Sequence, residues 1–347
     1  NGGVGIAGIN YLGVTDTPRG AAPTNGNRGI DIVNRGNIKS VGNGSSIGIL
    51  ALDDESQNIA GALGPNSIIL ENGSSIDVSS GTGGIGVYSQ IKNRSVKTGN
   101  ITDNGSIIKI GNNGVGIYAD GTVVNANNGG SIETVNGATG KGIYTNESVT
   151  SNKAITMSGD KSIGIHVYGN SPVTITNNGN ITVGNSDVDN KNYAIGMATK
   201  TGTVENTASG VITVGSSGIG LFADGANARA INNGTINLNG ANAMGMYLDN
   251  RAIGINNGTI KVNGSQEGAV GVVVQHGAKI INNGTITIDG KNGFAFFKAT
   301  GGIIENRNRM GIQLSGGAKE IYDPTSKPTS KTTGSVSIKA DRGATPA

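Results

Sequence analysis

Two short patterns alternate along this chain at a spacing of about 25 residues, and that period constrains the fold more than any other feature. The first is an Asn-Gly turn followed by a short apolar strand. Its clearest copies are Ile231-Asn232-Asn233-Gly234-Thr235-Ile236, Ile255-Asn256-Asn257-Gly258-Thr259-Ile260 and Ile281-Asn282-Asn283-Gly284-Thr285-Ile286. The second is an apolar-Gly-apolar-aromatic strand: Ile85-Gly86-Val87-Tyr88, Val115-Gly116-Ile117-Tyr118, Lys141-Gly142-Ile143-Tyr144, Ile219-Gly220-Leu221-Phe222 and Met244-Gly245-Met246-Tyr247. From Gly220 to Gly245 is 25 residues and from Gly245 to Gly271 is 26. A unit of this size cannot bury its own apolar side, whereas stacked units make a continuous core. No run of 10 to 12 residues carries a helical period, which removes helical repeats.

The sequence therefore predicts an all-β chain, a right-handed parallel β-helix (solenoid) with three faces and coils of about 25 residues. Equivalent strands stack about 4.8 Å apart. Ile236, Ile260 and Ile286 should form one inward ladder and Leu238, Val262 and Ile288 another. Turn asparagines can stack with each amide bonding the next, and Asn and Gly supply the positive φ that tight corners need. Composition agrees: 61 glycines lack the collagen period, and the Ile/Val pairs are too frequent for disorder.

Breaks in the period delimit the rest. Residues 1–317 read as the solenoid, with loops protruding near 12–28, 53–65, 91–100 and 185–192. Residues 318–347, including Asp323-Pro324-Thr325-Ser326-Lys327-Pro328, read as a linker or irregular break. The net charge of +3 is small and dispersed, so no nucleic-acid partner is expected. No stretch of about 18 apolar residues exists, and a membrane would be reached only through an anchor outside this chain. The absence of Met at position 1 suggests a processed product or an excised fragment. With no cysteine, disulfide staples and thiolate metal sites are excluded.

The alternation of Asn-Asn-Gly-Thr-Ile with Gly-Ile-Tyr or Gly-Met-Tyr strands resembles the passenger domains of bacterial autotransporters (type V secretion). In style it is most similar to the large fusobacterial surface adhesins, over roughly residues 30–317. The resemblance implies export to the bacterial surface, an outer-membrane barrel outside this chain, and adhesion to a protein or glycan on host cells or other bacteria. A virulence role and a monomeric stalk go with that reading. A polysaccharide-degrading β-helix enzyme (lyase or glycosidase) and a phage tail spike or fibre are the alternatives.

Candidate sites are few. If the residues flanking each glycine in the second pattern face inward, the period of two sends the glycine and the aromatic outward. Tyr88, Tyr118, Tyr144, Phe222 and Tyr247 then form one outward column. That column is either a binding surface or a structural ladder that stiffens the sheet. Asp224 and Asp249 lie one coil apart, as an acid–base pair or calcium site would require, yet both stand in turn-forming sequences. Asn185-Ser186-Asp187-Val188-Asp189 alternates oxygen ligands but departs from the EF-hand pattern at Lys191. His166 and His276 each lack a second histidine at ligand spacing. No catalytic residue, metal or cofactor is expected, and the chain is read as a non-enzyme.

Overall fold

The computed structural model describes residues 2–10, 30–53, 66–92, 98–135 and 137–323. The loops expected near 12–28 and 53–65, residues 93–97 of the loop expected near 91–100, and residues 324–347 of the expected linker lie wholly or almost wholly outside these. The chain divides into two compact units, Asn1–Ala154 and Ile155–Ala347.

Each unit is an all-β parallel solenoid with three faces and coils of about 26 residues. In the first unit, the first face stacks Val4–Asn10, Ile47–Asp53, Ile85–Ile91, Gly114–Asp120 and Gly140–Thr145 in sequence order. The second face runs from Asp31–Asn34 to Val149–Ser151 and the third from Asn37–Lys39 to Ser131–Thr134. In the second unit, the first face runs from Ile163–Val167 to Lys319–Tyr322. Its second face runs from Thr174–Asn177 to Ile303–Asn306, and its third from Asn180–Val183 to Ile312–Ser315. Among the described residues the helical structure is one 3-10 turn, Arg309–Gly311. Regular stacking continues past residue 317, because Phe294 pairs with Lys319 and Phe296 with Ile321. The glycine that marks the earlier strands of this face is already replaced by Ala295 in Phe294–Lys298, and the last strand lacks it too.

Register carries the predicted ladders. Ile236 pairs with Ile260 and Ile260 with Ile286, and all three are fully buried. Each such side chain is worth about 1.5–3 kcal/mol when taken from water. A slip of one residue would turn every one of them to solvent, so this pattern fixes the register.

The glycine of the second pattern faces inward, which corrects the alternation expected from the sequence. In Ile85–Ile91, Gly86 and Val87 are both buried, while Ile85, Tyr88 and Gln90 are half-buried on the outer side. Two consecutive inward residues interrupt the alternation while the register stays one to one, and the interruption puts the residue before the glycine on the aromatic's face. A Cβ on Gly86 would stand 2.5 Å from the Gly116 carbonyl oxygen and 2.5 Å from Ile108 Cγ2. No side chain fits there, so the glycine is required by close packing between coils.

The turn asparagines form ladders, and there are two per turn in the second unit. The first Asn of each turn is internal. Asn177 Nδ2 donates to Asn206 Oδ1 at 2.9 Å, Asn206 to Asn232 at 2.9 Å, Asn232 to Asn256 at 2.8 Å, Asn256 to Asn282 at 2.7 Å and Asn282 to Asn306 at 3.0 Å. Asn177, Asn206, Asn232, Asn256 and Asn282 have no exposed surface. Burying five amides unpaired would cost several kcal/mol, and the ladder removes that cost by using each amide as both donor and acceptor. The second Asn of each turn is external and its ladder runs the other way: Asn283 donates to Asn257 and Asn257 to Asn233, each at 2.8 Å.

Candidate functional site

The first face carries the aromatic column. Within the first unit Tyr88 pairs in register with Tyr118 and Tyr118 with Tyr144. Within the second, Phe222 pairs with Tyr247, and the column continues through Val273, Phe297 and Tyr322. The five candidate residues thus fall on the outer side of the first face, as two groups in two different environments.

Tyr88, Tyr118 and Tyr144 are half-buried. The rings of Tyr88 and Tyr118 are stacked, 4.7 Å apart and 8° from parallel. Tyr118 and Tyr144 are tilted at 5.6 Å, and Lys141 Nζ lies 5.0 Å over the Tyr144 ring. The ring faces are therefore largely occupied by one another and by a cation, which leaves edges and hydroxyls for a partner. Beside them Gln90 Nε2 donates to Asp120 Oδ2 at 3.1 Å and Asn146 Nδ2 to Asp120 Oδ1 at 2.8 Å. Burial, then the neighbouring Tyr118, raises the pKa of both Tyr88 and Tyr144, and burial lowers that of Lys141. Tyr88 and Tyr144 are therefore neutral near pH 7.

Phe222 and Tyr247 are not solvent-exposed: they retain 2% and 5% of their surface. They belong to an apolar cluster with Ile195, Ile219, Met244 and Val273, and Tyr193 and Tyr322 pack against it. Ile219 and Met244 lie on the same outer side as the rings, and with Tyr193 and Tyr322 packed against this cluster the rings are covered, unlike the first-unit tyrosines. Tyr247 Oη accepts from Gln275 Nε2 at 2.8 Å, and burial followed by the Asp249 charge raises its pKa strongly. These two residues are structural, and a surface reading of the column applies to the first unit.

The carboxylates singled out by spacing are held in turns. Asp224 and Asp249 are in register. Asp224 Oδ1 accepts from Asn250 Nδ2 at 2.6 Å. Asp249 Oδ1 lies 2.6 Å from His276 Nδ1 and accepts the Asn250 N–H at 2.7 Å, while Oδ2 accepts from Gln275 at 2.9 Å. The His276–Asp249 contact was hidden in the sequence, although a separation of 27 residues is close to one coil. Asp187 pairs with Lys161 at 2.7 Å and accepts from Asn190. Among the described residues no group of three or more His, Cys, Asp or Glu is placed to hold a metal ion.

One polar constellation gave no sequence signal. Lys153 is fully buried, and its Nζ lies 3.1 Å from both oxygens of the equally buried Asp103 and 2.9 Å from the Gly129 carbonyl oxygen. Asp103 Oδ1 also accepts the N–H groups of Gly105 and Ser106. Burial lowers the Lys153 pKa, and the Asp103 charge opposes that effect. The pair links three consecutive coils and is enclosed, so it serves the shaft and not a ligand.

Residues 25–255 match the family model described as the BigA third pectate lyase-like domain. The chain belongs to that family. It is a bacterial surface-protein domain, and this chain is accordingly a β-helix of the surface-protein kind. The words pectate lyase-like describe a fold and carry no statement of activity. No curated protein and no solved structure matches the chain. Among the described residues no helix is long and apolar enough to cross a membrane.

Proposed function

We propose that this chain is the adhesive or presenting shaft of an autotransporter-type adhesin, displayed outside the bacterial cell and tethered by a barrel elsewhere in the protein. One observation supports this most. The interior asparagines are consumed by coil-to-coil ladders and the candidate carboxylates by turn contacts, which leaves no convergent acid, base and nucleophile among the described residues. Such a chain holds other surfaces at a distance and catalyses nothing.

The surface offered for attachment is the tyrosine stack of the first unit. Tyr88, Tyr118 and Tyr144 present a row of edges and hydroxyls at the coil spacing, with the amide and acid row of Gln90, Asp120 and Asn146 alongside. Rigid stacked rings lose little entropy on binding, which favours a protein or glycan partner on another cell's surface. Beads coated with the purified chain should adhere to target cells, and Tyr88→Ser/Tyr118→Ser/Tyr144→Ser should abolish adhesion with an unchanged β-sheet circular dichroism spectrum. Full adhesion by the triple variant would refute this surface. Depolymerisation of a polysaccharide by the pure chain would refute the non-enzymatic reading.

A further inference from the structure

Inside the first unit an amine and a carboxyl group meet in a dry enclosure. Lys153 and Asp103 are fully buried, and Lys153 Nζ lies 3.1 Å from Asp103 Oδ1 and 3.1 Å from Oδ2. Equal distances to both oxygens place the carboxyl carbon no more than about 3.5 Å from Nζ, the separation of a near-attack pair.

The two oxygens differ in what else they touch. Oδ1 accepts the Gly105 N–H at 3.1 Å and the Ser106 N–H at 2.8 Å. Oδ2 is buried and accepts no hydrogen bond. Two backbone donors on one oxygen are the arrangement that stabilises an oxyanion during attack on a carboxyl carbon. Lys153 Nζ in turn donates to the Gly129 carbonyl oxygen at 2.9 Å. An amide joining Nζ to the Asp103 carboxyl carbon would satisfy every one of these groups. Its oxygen keeps the Gly105 and Ser106 N–H groups, its single N–H keeps the Gly129 carbonyl, and the oxygen without a hydrogen bond is gone. It also removes two buried charges, whose desolvation a salt bridge only partly offsets.

We propose that Lys153 and Asp103 become joined by a side-chain amide bond, an isopeptide cross-link made within the folded first unit. The bond forms by condensation. One proton passes from the Lys153 ammonium to Asp103 Oδ2, which gives a neutral amine and a neutral acid. The Nζ lone pair attacks the carboxyl carbon, and the charge that develops on Oδ1 is met by the two backbone N–H groups. A second proton moves from Nζ to Oδ2, and Oδ2 departs as water. An ammonium and a carboxylate thus become an amide and one water, with no oxidant or cofactor. Burial lowers the Lys153 pKa and so favours the first proton transfer, while the Asp103 charge opposes it. The neutral pair is therefore the minor form: the newly folded chain carries the ion pair, which fresh protein shows in unfolding experiments, and the bond accrues with time. It is made once, inside the shaft, and acts on no outside substrate. In a chain without cysteine it ties together positions 50 residues apart, so a pull on the shaft could not extend the segment between them.

The test is mass spectrometry of the full chain after prolonged incubation in the folded state. Trypsin should release residues 98–109 and 142–161 as one joined species, lighter than the two peptides together by one water, about 18 Da. Cleavage after Lys153 is lost with its free amine, and the joined fraction should rise with incubation. Lys153→Arg, which keeps the cation, and the unaltered chain held in urea should show no joining. Absence of the joined species from the long-incubated folded chain would overturn the proposal. So would a loss of one water confined to residues 98–109, which reports a succinimide within that peptide, and so would joining in urea, which would show that the fold does not direct the bond.

Discussion

The inward column at the end of the second-face strands is built differently within each of the two units. In the second it is Asn177, Asn206, Asn232, Asn256, Asn282 and Asn306, one amide per coil and each bonded to the next. In the first, the register positions are Asn34, Leu70, Asp103, Ala126 and Ser151. There the polar link is a single ion pair, in which Lys153 reaches past the coil of Ala126 to Asp103. An amide ladder needs the same residue in every coil, since each donor requires an acceptor at the next level. An ion pair needs two residues and lets the coils between them vary. The unit with the regular column also has the more regular coils, and the outer side of its first face is a closed apolar cluster where the first unit leaves tyrosines half-open.

The sharpest way to break this comparison is to remove the ion pair. Lys153→Met strands a buried carboxylate and should destabilise the chain by about 3–5 kcal/mol in urea unfolding. Adding Asp103→Asn to it should recover most of the loss, since the asparagine oxygen still accepts from Gly105 and Ser106. A loss below about 1 kcal/mol for Lys153→Met would mean the pair is not enclosed. On the outer face, Phe222→Ala should cost about 3–5 kcal/mol and Tyr118→Ala about 1 kcal/mol, because the first is buried and the second half-open. Equal costs would erase the distinction between the two environments.

Much of this architecture was legible in the sequence, and the reasons are local. The Asn-Gly turns and the Ile/Val alternation are strong signals because each coil repeats the same constraint, so the third-face ladders and their register followed from spacing alone. The facing of Gly86 and Ile85 did not follow, because two consecutive inward residues break the period of two on which the assignment rested. Lys153 and Asp103 are separated by 50 residues and by a coil that contains neither, so no motif joins them. The aromatic column was legible as a column, but whether Phe222 is open or covered depends on the neighbours that pack on it, Ile219, Met244 and Tyr193 among them, and no local motif announces those contacts.

Two smaller effects sharpen the contrast. Asn256→Ala removes the acceptor for Asn232 and the donor for Asn282, and should cost about 2–4 kcal/mol by thermal or urea unfolding. A substitution at Ala126, the equivalent column in the first unit, touches no ladder, so Ala126→Ser should change stability by less than about 1 kcal/mol. The pH dependence is smaller still. Tyr247 has its pKa raised in the folded chain, so its contribution is fully present below pH of about 10, where the unfolded phenol titrates, and is lost as pH rises above that value. Unfolding curves at increasing pH above 10 should show falling stability, with a shallower fall in Tyr247→Phe. An identical fall in the variant would place the effect elsewhere.

The central claim is that identical asparagines in successive coils are locked to one another inside the shaft. Side-chain amide exchange followed by NMR tests it directly. The Nδ2 protons of Asn206, Asn232 and Asn256 are buried and bonded to the next coil, so they should exchange only on opening of the solenoid, far slower than those of the external Asn257 and Asn283. Exchange of internal and external amides at the same fast rate would contradict the ladder and, with it, the coil register on which the whole account is built.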